Sequence, residues 1–301
     1  MESKKSMICF GEVLWDIFPE RKVVGGAPLN VTFHANSFSI NAQIISATGN
    51  DELGTGLRDF FYENKIKTDL LYTNHTFPTG TVQVTLDEKG SASYEIVKPV
   101  AWDFLDPDSD IEKHVSASDI LLFGSLSCRN KSNYQTLLQL IEKAKKTVFD
   151  VNLRPPFYEQ ALIEDLLKKA NIVKMNDEEL EEIIGWYGKT NDIKQQMSLI
   201  KDKFNIETLI VTAGKDGAYC THDNIFYHQK GFPVTVKDTV GSGDAFLAAF
   251  IFKMFHQASW QECLKFACAT GALVATKAGG TPTIKEDDVL NFIQNKRTIS
   301  V

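Results

Sequence analysis

The segment Lys237-Asp-Thr-Val-Gly-Ser-Gly-Asp-Ala-Phe-Leu-Ala-Ala-Phe250 holds the strongest chemical signal in the chain. Gly241, Ser242 and Gly243 stand directly before an apolar run with helical character. Two glycines let the backbone turn tightly and aim successive N–H groups at one point, and a helix start there adds positive potential. Such a turn binds an anion. Asp244 then places a carboxylate in the mouth of the site. One reading makes Asp244 a base beside a phosphate that is being transferred. The other makes it a helix cap, a common role for Asp. The local pattern leaves both open.

An anion turn of this kind needs a scaffold, and the rest of the sequence supplies one. Short apolar runs at Met7–Phe10, Gln43–Ser46, Ile120–Phe123, Thr147–Val151, Ile172–Met175 and Thr208–Val211 read as strands buried on both faces. Helical stripes lie between them: Leu53, Leu57, Phe60 and Phe61, then Tyr134, Leu137, Leu138 and Ile141, then Ile193, Met197, Ile200 and Phe204. The stretch from Ser242 to Lys296 is almost all helical in pattern. This alternation predicts an α/β fold with a doubly wound, mostly parallel sheet flanked by helices. One region breaks it. Val82, Val84 and Leu86, then Ala92, Tyr94 and Ile96, alternate about a turn at Asp87–Gly90, which reads as a hairpin. With the stretch after the first strand, it predicts a small β-sheet lid formed by about 11–25 and 79–104, on a single domain covering 1–301.

Composition narrows the function classes. Hydrophobic residues make up 43% and charged residues 24%, with a net charge of −7. The longest run without a polar side chain, Ala245 to Phe252, is far short of the ~20 residues that span a bilayer. The N-terminus lacks the apolar segment of a secretory signal. Five scattered cysteines without a C-x-x-C pair argue against a disulfide framework and point to a reducing cytoplasm. No basic cluster interleaved with aromatics suggests a nucleic-acid partner. The six histidines show no metal-ligand spacing and read as structural or surface residues.

Asp238-Thr-x-Gly-x-Gly-Asp244 followed by Ala-Phe resembles the C-terminal signature of the ribokinase-like (PfkB) sugar kinases. That resemblance implies that Asp244 is the catalytic base and that Gly241, Ser242 and Gly243 form the anion hole, with Ser242 where the family usually has Ala. Gly25-Gly26-Ala-Pro-Leu-Asn30 is similar to the family's N-terminal glycine pair in its fructokinase version. By the same resemblance Gly25 and Gly26 let the sugar approach the backbone, while Asn30 and Asp16 bond its hydroxyls. Without the resemblance, Asp16 would read as a solvated lid carboxylate. Asn176-Asp-Glu-Glu179 is similar to the N-x-x-E motif, which implies that Asn176 and Glu179 order Mg²⁺ and its waters around ATP. Thr212, Gly214 and Gly217 fall in the segment that meets the nucleotide. Phe149-Asp-Val-Asn-Leu-Arg154 resembles the D-x-N-x-R element; Arg154 either contacts substrate or pairs with a carboxylate. Asp238 and the carbonyl of Val240 are in register with the family's monovalent-cation site, which implies K⁺.

The expected protein is therefore an ATP-dependent kinase of a small sugar, fructose first, acting on a primary hydroxyl and dimerising through the lid. Ribose, 2-keto-3-deoxygluconate and nucleoside kinases of the same fold would keep the ATP-side residues. A catalytically silent sugar-binding regulator of that fold is a further reading. No G-x-x-x-x-G-K-[S/T] is present, which excludes a P-loop phosphotransferase, and no G-x-G-x-x-G follows the first strand. The acidic, amide-bearing sugar positions disfavour a substrate that already carries phosphate, although Lys22 and Lys98 could reach in from the lid. Trp15, Phe18 and Trp102 either wall the sugar or form a contact between lids.

Overall fold

The computed structural model describes residues 5–86, 92–105, 109–188, 190 and 192–298. In chain order the first half gives β1 (Ser6–Phe10), β2 (Leu14–Ile17), β3 (Lys22–Gly25), α1 (Ala27–Ser37), β4 (Asn41–Gly49), α2 (Glu52–Glu63), β5 (Leu71–Asn74), β6 (Gly80–Leu86) and β7 (Ala92–Ile96). The middle gives α3 (Ser109–Ala117), β8 (Ile120–Gly124), α4 (Lys131–Lys143), β9 (Thr147–Asp150), α5 (Gln160–Lys168), β10 (Ile172–Asn176), α6 (Asp177–Gly185) and α7 (Ile193–Phe204). The last third gives β11 (Thr208–Thr212), β12 (Ala218–His222), β13 (Ile225–Gln229), α8 (Ser242–Phe255), α9 (Trp260–Ala275) and α10 (Glu286–Thr298).

Nine strands form one sheet in the order β13-β12-β11-β10-β9-β8-β1-β4-β5. From β11 to β5 every pairing is parallel, and β12 and β13 close one edge antiparallel. The chain winds outward from β1 through β4 and β5, then restarts on the other side with β8. Ligands of open α/β sheets bind where the winding reverses, outside the carboxyl ends of the strands. Here those ends carry Glu12 after β1, Asp150 on β9, Asn176 on β10 and Thr212 on β11.

Burial explains the continuous apolar strands. β8 and β9 are buried at every residue, and apolar clusters fill both faces of the sheet. Side chains of α1, α8 and α9 pack in one cluster, those of α4 to α7 in the other. α8 is buried over Ala245–Phe252, which accounts for its lack of amphipathic spacing: α1 and α9 both pack against it.

β3-β2-β6-β7 form a second, four-stranded sheet. β2 runs antiparallel to β3 and parallel to β6, and β6 and β7 are the hairpin that the alternation predicts; its turn lies outside the described residues. Leu14, Val82 and Val84 form its apolar face, with Phe18 and Ile96 against them. Trp102 departs from expectation. It is fully buried with Val100 and Leu126, under the Arg129 guanidinium, so it neither walls a sugar nor faces another lid. Arg129 is itself fixed by Asp103 at 2.7 Å, and this buried pair anchors the return from the small sheet.

Candidate active site

α8 begins at Gly241, whose φ of 72° is left-handed. A Cβ there would lie 2.5 Å from the Cα of Gly280, so a glycine is required by backbone angle and by contact. The Ala245 N–H reaches the Gly241 carbonyl at 2.8 Å and starts the helical ladder. The Ser242 N–H turns back to the Thr239 carbonyl at 3.2 Å. Among the described residues, the N–H groups of Gly241, Gly243 and Asp244 are left without a backbone partner at the turn. The Ser242 hydroxyl is buried without a partner.

Asp244 does not cap its own helix; the cap position is Gly241, which has no side-chain bond. Its carboxylate instead accepts the Asn30 amide, Nδ2 to Oδ2 at 2.8 Å, which joins α1 to the glycine turn. Burial pushes the Asp244 carboxyl up to about 6, and Asp150 adds to the rise, while Lys174, the Asn30 amide and Arg154 oppose it. Asn30 also packs on Gly280, which has no side chain to displace it. Four residues on, His34 donates from Nε2 to the Gly280 carbonyl at 2.9 Å and is held neutral by burial, its value lowered to about 4. The structural reading of this histidine agrees with its place, and it ties α1 to the loop behind Gly241.

Asp16, on β2, faces Gly25 of β3 so closely that a Cβ on Gly25 would stand 2.5 Å from its Oδ2. Burial raises the Asp16 carboxyl to about 6, against the pull of the Arg154 guanidinium. Gly26, with φ 110°, packs on the backbone of Glu12. Arg154 is exposed at the end of the β9 loop and donates to the Leu153 carbonyl at 2.9 Å. Its charge acts on Glu12, Asp16 and Asp244 together.

A buried ion pair that no sequence motif marks lies beneath the turn. Lys174 of β10 and Asp150 of β9 meet at 3.0 Å, 7% and 2% exposed. A Cβ on Gly243 would approach Lys174 Nζ to 3.1 Å, which places the ammonium directly below the anion turn. Burial alone would discharge Lys174, but Asp150, Glu179 and Asp244 outweigh it and raise its value. A lysine in the otherwise apolar Ile172–Met175 run was the available signal.

Asn176 and Glu179 form a reciprocal cap on α6. The Asn176 Oδ1 accepts the Glu179 N–H at 2.7 Å, and the Glu179 Oε2 accepts the Asn176 N–H at 2.8 Å. Glu179 Oε1 accepts the Leu153 N–H at 2.8 Å. With both carboxylate oxygens engaged, these residues fit a cation carried on phosphates and its own waters rather than one held directly. Among the described residues no three His, Cys, Asp or Glu side chains form a metal cage. Asp238 accepts the Val240 N–H at 3.0 Å and the Gly279 N–H at 2.9 Å, so it joins the loop before α8 to the loop after α9.

A cleft of about 990 Å³ runs from Thr212, Gly214 and Gly217 to Ser242 and Gly243. Phe246, Gly271 and Ala272 line one wall, and Lys215 and Lys230 stand at its edges. Gly217 has φ 98°, and a Cβ there would meet the Lys230 carbonyl carbon at 2.6 Å. The cleft ends at the anion turn. Asp244 and Asn30 lie beyond it, so one end can take an extended phosphorylated ligand while the other presents a carboxylate and an amide.

The sequence profile described as pfkB family carbohydrate kinase matches residues 4–287. The chain belongs to that family. Among curated pfkB relatives, a fructokinase of Salmonella typhimurium is 27% identical over 302 residues, covering 93% of this chain and 96% of its own. A probable fructokinase-2 of Arabidopsis thaliana is 29% identical, with 97% of each chain covered. A solved fructokinase of Xylella fastidiosa with bound ATP superposes with a TM-score of 0.86 at 24% identity, over 98% of this chain and 100% of the other. A Vibrio cholerae fructokinase, in a form with fructose, ADP and calcium ion bound, gives 0.83 at 25% over 96% and 99%. The pfkB membership accounts for the doubly wound sheet with its small second sheet.

Proposed function

We propose that this chain is an ATP-dependent fructokinase whose base is Asp244. The carrying observation is the 2.8 Å bond from Asn30 to Asp244 at the glycine turn, where the nucleotide-sized cleft meets the sugar side. Asp244 accepts the proton of a primary hydroxyl, and that oxygen attacks the γ-phosphorus in line with departing ADP. Phosphoryl transfer runs through a loose transition state, so positioning and charge stabilisation outweigh base strength. The Gly243 and Asp244 N–H groups, the α8 dipole and Lys174 beneath them supply that stabilisation. Thr212, Gly214 and Gly217 face the nucleotide. Magnesium, carried on the phosphates near Asn176 and Glu179, would offset phosphate charge, and Asp238 with the Val240 carbonyl suits a potassium ion.

On the sugar side, Asp16, Asn30 and the Gly25-Gly26 backbone bind hydroxyls, and Arg154 reaches across them. Lys22 stacks over Trp15 at 5.0 Å and Lys98 over Phe157 at 5.2 Å, so each already has an aromatic partner. This supports an unphosphorylated substrate, and the curated relatives' names favour fructose. The small sheet acts as the lid, and its exposed Tyr94 supports pairing of two lids in a homodimer. Five unpaired, buried cysteines suit a cytoplasmic protein. The test is coupled ADP release over free sugars, sugar acids and nucleosides. Fructose is expected to lead; adenosine, ribose or 2-keto-3-deoxygluconate well ahead of it would overturn the substrate, and no sugar-dependent release would overturn catalysis.

A further inference from the structure

Trp15, on β2 of the small sheet, is taken up by α2. Its Nε1 donates to the Leu53 carbonyl at 2.9 Å. Its ring fills the space beside Gly56, where a Cβ would come within 3.2 Å of Cζ2. Leu53 and Gly56 are three residues apart on α2 and so share one face of it. A glycine weakens a helix interior relative to alanine, and here the indole occupies the room it leaves. Lys22 of β3 covers the ring at 5.0 Å, and the indole packs on the larger apolar cluster. Successive side chains of a strand point to opposite faces. Asp16 therefore stands on the other face of β2, where it and Leu14 crowd Gly25 of β3. The same end of α2 also grips the neighbouring strand. Asp51, the α2 cap, accepts the Gly54 N–H at 2.7 Å, the Thr79 N–H at 2.8 Å and the Thr79 hydroxyl at 2.6 Å. Thr79 directly precedes β6, whose Gly80 pairs with Leu14 of β2. The two inner strands of the small sheet are thus fastened to α2 at residues 51 and 53.

We propose that Trp15 is a positioning residue for the sugar side of the site: bonded to Leu53 and seated on Gly56, it sets how far β2 stands from α2 and so where Asp16, on the strand's other face, meets the sugar. Its indole touches neither sugar nor ATP. A sheet held at the root of one strand can swing about that root, and a second bond two residues further along α2 removes the freedom. Asp16 binds a hydroxyl in the ground state and the transition state alike, so its misplacement weakens sugar binding more than turnover. The assignment rests on the kinase reading above, because it takes Asp16 as a partner of the sugar.

Two variants test it, Trp15→Phe and Gly56→Ala. Trp15→Phe keeps an aromatic ring and loses the donor. The fructose KM is expected to rise about three- to tenfold, as the loss of one hydrogen bond implies, with kcat and the ATP KM within about twofold. Gly56→Ala leaves the indole in place but makes its ring give by a few tenths of an ångström. The fructose KM is then expected to rise about threefold, while melting stays at or above the parent's because alanine favours the helix. A merely structural role would leave the KM of that folded variant unmoved. Independently of activity, hydrogen exchange at the Trp15 indole N–H is expected to be slow in the parent and quicker in Gly56→Ala, which keeps the test valid should Trp15→Phe not fold. A fructose KM within about 1.5-fold of the parent in either folded variant, an equal rise in the ATP KM, or rapid indole exchange in the parent would overturn the proposal. Parent enzyme without sugar-dependent ADP release would defeat the kinase reading alone, since the exchange measurement stands without turnover.

Discussion

Replacing Gly241 by alanine tests whether the turn before α8 carries the transition state. Its φ of 72° costs a residue with a Cβ about 1–2 kcal/mol. The new methyl would also start 2.5 Å from the Gly280 Cα, and both atoms are anchored in backbone. Ordinary contact begins near 3.4 Å, so the two loops must part by nearly 1 Å. That movement takes the Gly243 and Asp244 N–H groups off the phosphoryl oxygens. Loss of one such donor costs about 3–4 kcal/mol in the transition state, or ~10²–10³ in kcat. Coupled ADP release at saturating ATP and fructose is expected to fall by that factor. Melting is expected to drop by only a few degrees, as 1–2 kcal/mol implies for a protein of this size. Calorimetry should find fructose binding nearly unchanged. A variant that melts lower but keeps kcat within about threefold would refute the reasoning, because the turn would then be structural.

Other perturbations read neighbouring parts of the site. In the parent, kcat is expected to fall about tenfold per pH unit below about 6, where the Asp244 base takes up a proton, and to level off above 7; a flat profile from pH 5 to 8 under rate-limiting chemistry would contradict this. Lys174→Met removes the cation facing Asp150, Glu179 and Asp244, so the acid limb should move to higher pH and stability should fall by about 3–5 kcal/mol, read by pH-rate profiles and denaturant melts. Gly217→Ala drives a methyl into the backbone of Lys230 and Gly231, so the ATP KM should rise at least about tenfold while fructose binding holds; equal loss of both would point to global damage instead.

How much was legible in the sequence divides along a physical line. The buried parallel strands were readable because both faces are covered, and the hairpin β6–β7 because one face is not. The antiparallel edge β12–β13 was not: its alternation follows a glycine turn and borrows its packing from α9. The anion turn and Asp244 were visible as a local spacing. What they bond to was not, since Asn30 lies 214 residues away and meets Asp244 only through α1 packing on α8. The same holds for Lys174 and Asp150, whose pairing depends on the register of β9 with β10. Trp102 misled because its neighbours in sequence belong to the small sheet, whereas its own contacts face Arg129 and Leu126.

The central claim is that Asp244 is the base, and Asp244→Asn tests it most directly. The amide is nearly isosteric and keeps an oxygen for Asn30, so ATP and fructose should still bind within a few-fold of the parent by calorimetry, while kcat drops by ~10²–10⁴. Stability supplies a second sign. The folded carboxyl titrates near 6 and the unfolded one near ~3.9, so the charge opposes folding increasingly as pH rises between those values. The variant should therefore melt higher than the parent above pH 6, by an amount equivalent to about 1–3 kcal/mol, and the gap should close towards pH 4. Near-normal kcat with both ligands bound would contradict the account.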